Sequence, residues 1–198
     1  PITDMVNPLI AQFPDADQIR KGNIMARARM IVLYDQSAAF GGLVVGTGNK
    51  TEILLGYTTL YGDAACALNP IGDLYKTQVW QLATWRNELA ILQGDTPPIP
   101  ENSIKKEPSA ELAPNQKDSD SLPEYKLLDQ ILSIYIDEDG GRAAVLAAGF
   151  DPLLVDKVVG LVDRAEYKRR QYPPGTKISF RAFGKDRRLP ITSHWRES

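Results

Sequence analysis

"VVGTGNKTEILLGYTTLYGD", residues Val44 to Asp63, decides how the rest of the chain is read. An apolar run turns at Gly46, and Thr47, Asn49, Glu52, Tyr57, Tyr61 and Asp63 follow in close succession. "LVVGT" reads as a buried parallel strand, because it is short, β-branched and continuous rather than alternating. "NKTEILLG" reads as the start of a helix. Asn49 or Thr47 can cap it, and Glu52 falls in its first turn, where the helix dipole favours negative charge. In open α/β sheets, ligands sit at the carboxyl ends of strands, just where this cluster of hydrogen-bonding groups lies. The stretch therefore predicts an α/β fold with a ligand site beginning at Gly46.

Working outward, Thr3 to Gln12 fits a short helix ended by Pro14, and Asp17 caps a longer one that Gly41-Gly42 terminates. "PITDMV" could instead carry the end of a second strand. Another helix begins near Asp73 and runs through "LYKTQVWQLATWRNEL". Between Gly94 and Pro123 the chain has six prolines, many charges and few large apolar side chains, which predicts a mobile loop. Helical patterns return at "PEYKLLDQILSIYID", "GRAAVLAAG" and "DPLLVDKVVGLVDRAEYKRRQ". The basic, Pro/Gly-punctuated tail from about 173 to 198 reads as non-helical.

The bulk properties restrict function. With 198 residues, 43% hydrophobic, 24% charged and a net charge of −2, the composition is that of a globular domain. That charge gives no general attraction to nucleic acid or anionic membranes, so any anion site must be local. No apolar run reaches the ~20 residues of a membrane helix. The one cysteine, Cys66, fits a reducing, cytoplasmic compartment and reads as a small buried residue rather than a reactive thiol. One convincing strand is too few, because a lone strand leaves its backbone unpaired. Either strands are missed or the rest of the sheet lies outside this chain.

Six blocks occur in order: "GNIMARARM" (Gly22–Met30), "GTGNKTE" (Gly46–Glu52), "GYTTLYGD" (Gly56–Asp63), "NPIGDLYKTQV" (Asn69–Val79), "KEPSAEL" (Lys106–Leu112) and "RAFGKDRRLPI" (Arg181–Ile191). Together they resemble the synthetase domain of the NAD synthetases, in the ATP pyrophosphatase superfamily, and the last block, with "LPEYKLLDQIL" at Leu122–Leu132, resembles the glutamine-dependent branch. The resemblance implies a Rossmann-like parallel sheet flanked by helices. It implies adenylation of the carboxylate of nicotinic acid adenine dinucleotide by ATP, then attack by ammonia, free or glutamine-derived, to give NAD. It further implies a Mg2+ ion and a homodimer.

By the same resemblance, Thr47, Lys76 and Ser109 contact ATP, and Glu52 holds Mg2+. Asn23, Arg27, Tyr57, Asp63, Lys185 and Asp186 line the dinucleotide site, with Asp63 and Lys76 nearest the chemistry. Five of them have a plainer reading. Thr47 can be a helix cap, Glu52 a dipole-favoured residue, Lys76 a solvated lysine, Asp63 a turn residue, and Arg27 an exposed arginine. His194, the only histidine, takes no role. The family's Ser-Gly-Gly-x-Asp-Ser phosphate loop does not occur; "FGG" at Phe40–Gly42 lacks its serines and aspartate. The expectation is thus that residues 1–198 are the C-terminal portion of one synthetase domain, without its N-terminal strands and phosphate loop, and inactive alone. The rivals are another amidotransferase synthetase of the superfamily and a non-catalytic module that keeps the scaffold.

Overall fold

The computed structural model describes residues 2–110, 112–113, 115–182 and 186–192. Helix α1 spans Thr3–Ala11 and α2 spans Gln18–Phe40. The carboxylate of Asp17 accepts from Arg20 N to cap α2, and Gly41, in the left-handed region at φ 65°, ends it. Next come α3 (Lys50–Leu55), α4 (Lys76–Leu92) and α5 (Glu101–Lys105). After a 3-10 turn at Asp118–Asp120, α6 (Tyr125–Leu132) continues as a π turn over Ser133–Asp137. Helices α7 (Gly141–Ala147), α8 (Pro152–Arg164) and α9 (Glu166–Arg169) complete the order. Asp151 caps α8 by accepting from Leu154 N, and Pro152 sits at its first position, where a missing N–H costs nothing.

The expected parallel sheet is not found: among the described residues there is no strand. "LVVGT" is extended, but its pairing is one residue deep. Val45 bridges Leu68 through Gly46 N to Leu68 O at 2.7 Å and Ala67 N to Val44 O at 2.8 Å, and Asn69 bridges Gly175. The apolar run also lacks the burial that such a strand requires. Val44 alone is buried, whereas Leu43 is 76% and Val45 55% exposed. β-Branched composition therefore marked extended backbone but not a ladder. "PITDMV" is not a strand end either, since α1 begins at Thr3.

The core is helical. Leu54 and Leu55 of α3 pack with Leu128, Ile131 and Leu132 of α6, Ile136 of the π turn, Val145 of α7, and Val155, Val158, Val159 and Val162 of α8. Apolar positions three and four apart on α6 and α8 supply this face. Gly56 ends α3 at φ 67°, and a Cβ there would lie 2.6 Å from Ala165 Cβ, so the turn requires glycine. Helix α2 stands outside this core, packed on α1, and meets the loops after α3 through Ala26 against Gly62. The segment between α4 and α6 is held locally. Asn87 clamps Ile99 by two hydrogen bonds, and Glu107 pairs with Lys117 and accepts from Ser119 Oγ.

Candidate active site

Helix α3 organises the site. Asn49 Oδ1 accepts from Glu52 N at 3.0 Å and Glu52 Oε2 accepts from Asn49 N at 3.1 Å, a reciprocal capping box. The other oxygen of Glu52 takes an ion pair from Lys76 Nζ at 3.1 Å, with the two side chains 19% and 18% exposed. Lys76 is the first residue of α4, not a mid-helix residue, and its ammonium lies over the rings of Tyr125 (5.3 Å) and Trp80 (6.0 Å). Between Asn49 and Glu52, Lys50 and Thr51 point into the protein and are fully buried.

Lys50 Nζ is held by Asp73 (3.0 Å), Asp137 (2.7 Å) and Ser179 Oγ (2.7 Å). Asp73 in turn accepts from Ile178 N, Ser179 N and Ser179 Oγ, each at 2.7 Å, so it clasps the C-terminal segment. Burial pushes the Asp73 carboxyl upward, but these donors and Lys50 outweigh it and leave the group below the usual carboxylate range. Thr51 Oγ1 donates to Asp129 Oδ1 at 2.5 Å and accepts from Lys76 N at 3.0 Å. Asp129 Oδ2 accepts from Thr77 N at 2.9 Å; burial raises this carboxyl against the pull of Thr51 and Thr77.

A cavity of about 830 Å³ opens in front of α3, a size suited to a small-molecule ligand. Asn23, Thr47, Glu52, Tyr57, Asp63, Lys76 and Ser109 all line it. Asp63 Oδ1 accepts from Thr59 N at 2.7 Å, and Thr59 Oγ1 donates to Asn23 Oδ1 at 2.8 Å. Asp63 presents an open face to the cavity, yet surrounding protein desolvates it and raises its carboxyl. Burial raises the phenol of Tyr57 and the thiol of the half-buried Cys66, which also lines the cavity. Lys76, Lys168 and Arg29 put three cations on the wall, beside the carboxylates Glu52, Asp63 and Asp118.

Other expected residues are placed differently. Arg27 is not among the residues lining the cavity; its Nε donates to Leu60 O at 3.0 Å. Asp186 pairs with Lys177 at 2.6 Å and accepts from Ala182 N, which uses its carboxylate within the tail. Lys185 and His194 lie outside the described residues. Lys168, in the basic run of α9, carried no signal of its own. Its Nζ donates to Gly56 O and Thr58 O at 2.7 Å each and lines the cavity. Burial lowers the Lys168 ammonium, while Asp63 favours its charge. Asp118, which also lines the cavity, is buried and accepts from Tyr125 OH at 2.7 Å.

Among the described residues, no group of three His, Cys, Asp or Glu side chains could hold a metal ion. Glu52, Asp63 and Asp118 are the carboxylates that line the cavity, and one such group suffices for Mg2+, which keeps waters and takes its remaining oxygens from substrate phosphates. No described helix is long and apolar enough to cross a membrane.

The NAD synthase family profile matches residues 1–172. The glutamine-dependent NAD(+) synthetase of Acinetobacter baylyi (strain ATCC 33305 / BD413 / ADP1) is 52% identical over 174 residues, covering 88% of this chain and 31% of the relative. The NH(3)-dependent NAD(+) synthetase of Trichlorobacter lovleyi (strain ATCC BAA-1151 / DSM 17278 / SZ) is 47% identical over 186 residues, 93% of this chain and 64% of the relative. A solved structure of the NH3-dependent NAD synthetase from Campylobacter jejuni subsp. jejuni NCTC 11168, in complex with the nitrate ion, superposes with a TM-score of 0.63 at 33% identity, covering 84% of this chain and 59% of that one. The chain thus spans 31% of the first relative's length and 64% of the second's.

Proposed function

This chain belongs to the NAD synthase family, and from that premise we propose that it is the catalytic portion of an ATP-dependent NAD synthetase. The carboxylate of nicotinic acid adenine dinucleotide attacks the α-phosphorus of ATP and pyrophosphate leaves. Ammonia, free or released from glutamine, then forms the C–N bond and AMP leaves. The observation that carries this reading is the meeting of Thr47, Glu52, Lys76, Asp63 and Lys168 on the wall of one cavity.

Lys76, at the start of α4 and over two aromatic rings, lines the cavity beside Glu52, where its ammonium can meet phosphate oxygens. Glu52 would hold Mg2+, which when bound neutralises phosphate charge as the leaving group departs. Thr47 and Ser109 hydrogen-bond the nucleotide, and Asn23 and Tyr57, which share the same cavity wall, hold the dinucleotide. Asp63, with its raised carboxyl, accepts a proton from the attacking nitrogen, and Lys168 stabilises that carboxylate. A cytoplasmic homodimer is the assembly this reading implies.

The test is a complete synthetase carrying these 198 residues, supplied with the acid dinucleotide, ATP, Mg2+ and ammonium. NAD, AMP and pyrophosphate should appear in equal amounts. Release of ADP and phosphate, or no NAD at all, overturns the reading.

A further inference from the structure

We propose that Asp129, which lies behind the cavity and does not line it, is a positioning residue that holds Glu52 and Lys76 opposite each other. The inference rests on the synthetase reading above. The first N–H groups of any helix lack an acceptor within that helix and must find one elsewhere. At the start of α4, Lys76 N gives its hydrogen to Thr51 Oγ1 and Thr77 N gives its own to Asp129 Oδ2. Thr51, near the start of α3, passes its hydroxyl proton on to Asp129 Oδ1 at 2.5 Å. Two helix N-termini thus converge on one buried carboxylate supplied by α6.

The two helices are pinned at residues next to those that face the cavity. Thr51 precedes Glu52, and Thr77 follows Lys76. Thr51 and Thr77 turn back to Asp129 while Glu52 and Lys76 turn forward and pair at 3.1 Å. The arrangement requires an acceptor at both oxygens. A carboxylate offers two, whereas an asparagine offers one acceptor and one donor. In Asp129→Asn, whichever of Thr51 and Thr77 faces the amide nitrogen loses its acceptor, and one helix start is released.

The first test is residue-resolved amide exchange in the 198-residue chain. The Lys76 and Thr77 N–H groups should be protected in the parent, and at least one of them should be exposed in Asp129→Asn; the Lys76 N–H should be exposed in Thr51→Val and protected again in Thr51→Ser, which keeps the hydroxyl. Parent-like protection in Asp129→Asn, or in Thr51→Val should the first variant fail to fold, overturns the pin. The second test is a double-mutant cycle in the complete synthetase carrying this chain. Asp129→Asn should lower kcat about 10- to 100-fold, the scale of a small misplacement of catalytic groups, and should cost nothing further once Glu52→Gln is present. Independent, multiplicative losses would leave Asp129 as a support of the fold only and overturn the proposal. A parent that makes no NAD refutes the functional reading instead, and the exchange measurement still decides whether Asp129 pins the two helices.

Discussion

Glu52→Gln separates a residue that starts a helix from one that serves chemistry. In the structure one oxygen of Glu52 takes Asn49 N and the other takes Lys76 Nζ, each at 3.1 Å. Glutamine is nearly isosteric, but its single carbonyl oxygen can serve only one of these donors. If it keeps the capping box, the amide NH2 faces an ammonium and the ion pair is lost. The loss combines a partly screened ion pair with a charge at a helix N-terminus, about 1–2 kcal/mol together. A domain with roughly 5–15 kcal/mol of stability stays folded after such a loss. Turnover should respond on a different scale. Removing a preorganised electrostatic group at a developing charge costs about 10²–10³ in rate, or about 2.7–4 kcal/mol. The assay is steady-state NAD formation by a complete synthetase carrying this chain, titrated with Mg2+, alongside urea unfolding of the variant. The fall should appear in kcat, with a raised Mg2+ requirement, because leaving-group charge grows in the transition state. A Mg2+ titration and a kcat that overlay the parent would reduce Glu52 to a capping residue and refute the reasoning.

Lys50→Met leaves the buried Asp73 and the partly exposed Asp137 without their shared cation; urea unfolding should show a loss of about 3–5 kcal/mol, and a loss under about 1 kcal/mol would mean the remaining donors suffice. Because the folded-state Asp73 carboxyl lies below its ordinary value, its contribution is present above the usual carboxylate range and is lost as pH falls through the lowered value. Asp73→Asn should therefore flatten the acid limb of the stability curve, and an unchanged limb counts against the clasp. Gly22→Ala would place a Cβ 3.0 Å from Leu112 Cβ, so exchange around Leu112 should quicken while global stability holds or rises by about 0.5–1 kcal/mol, from replacing a helical glycine. Unchanged protection there would show that Leu112 yields at no cost. Since the sequence holds no Ser-Gly-Gly-x-Asp-Ser, the 198 residues alone should form no NAD, and measurable turnover by the purified chain would refute this.

The features legible in the sequence are the ones decided locally. Asp17 and Gly41 bracket α2, and Asn49 with Glu52 three residues on forms the capping box, since caps depend on a few neighbouring side chains. The strand reading failed at Val45, whose burial depends on neighbours that its own segment cannot specify. The family resemblance named Glu52, Lys76 and Asp63, and the cavity brings them together. It gave no sign of Lys50, Asp129 or Lys168, whose partners lie 129, 78 and 112 residues away. A lysine surrounded by "GNKTE" reads as solvated unless the distant aspartates that enclose it are known.

The enclosure of Lys50 also has a direction in time. Its ammonium meets Asp137 after 87 further residues and Ser179 only after 129. At the ~5–20 residues per second of synthesis, about 6–26 s separate the appearance of Lys50 from that of Ser179. Throughout that interval α3 can form and cap itself, and Asp73 and then Asp137 can reach the charge behind it, but the side that Ser179 closes stays wet. A nascent chain paused shortly before Ser179 would thus hold a formed α3 with water behind it, where chaperones could still enter.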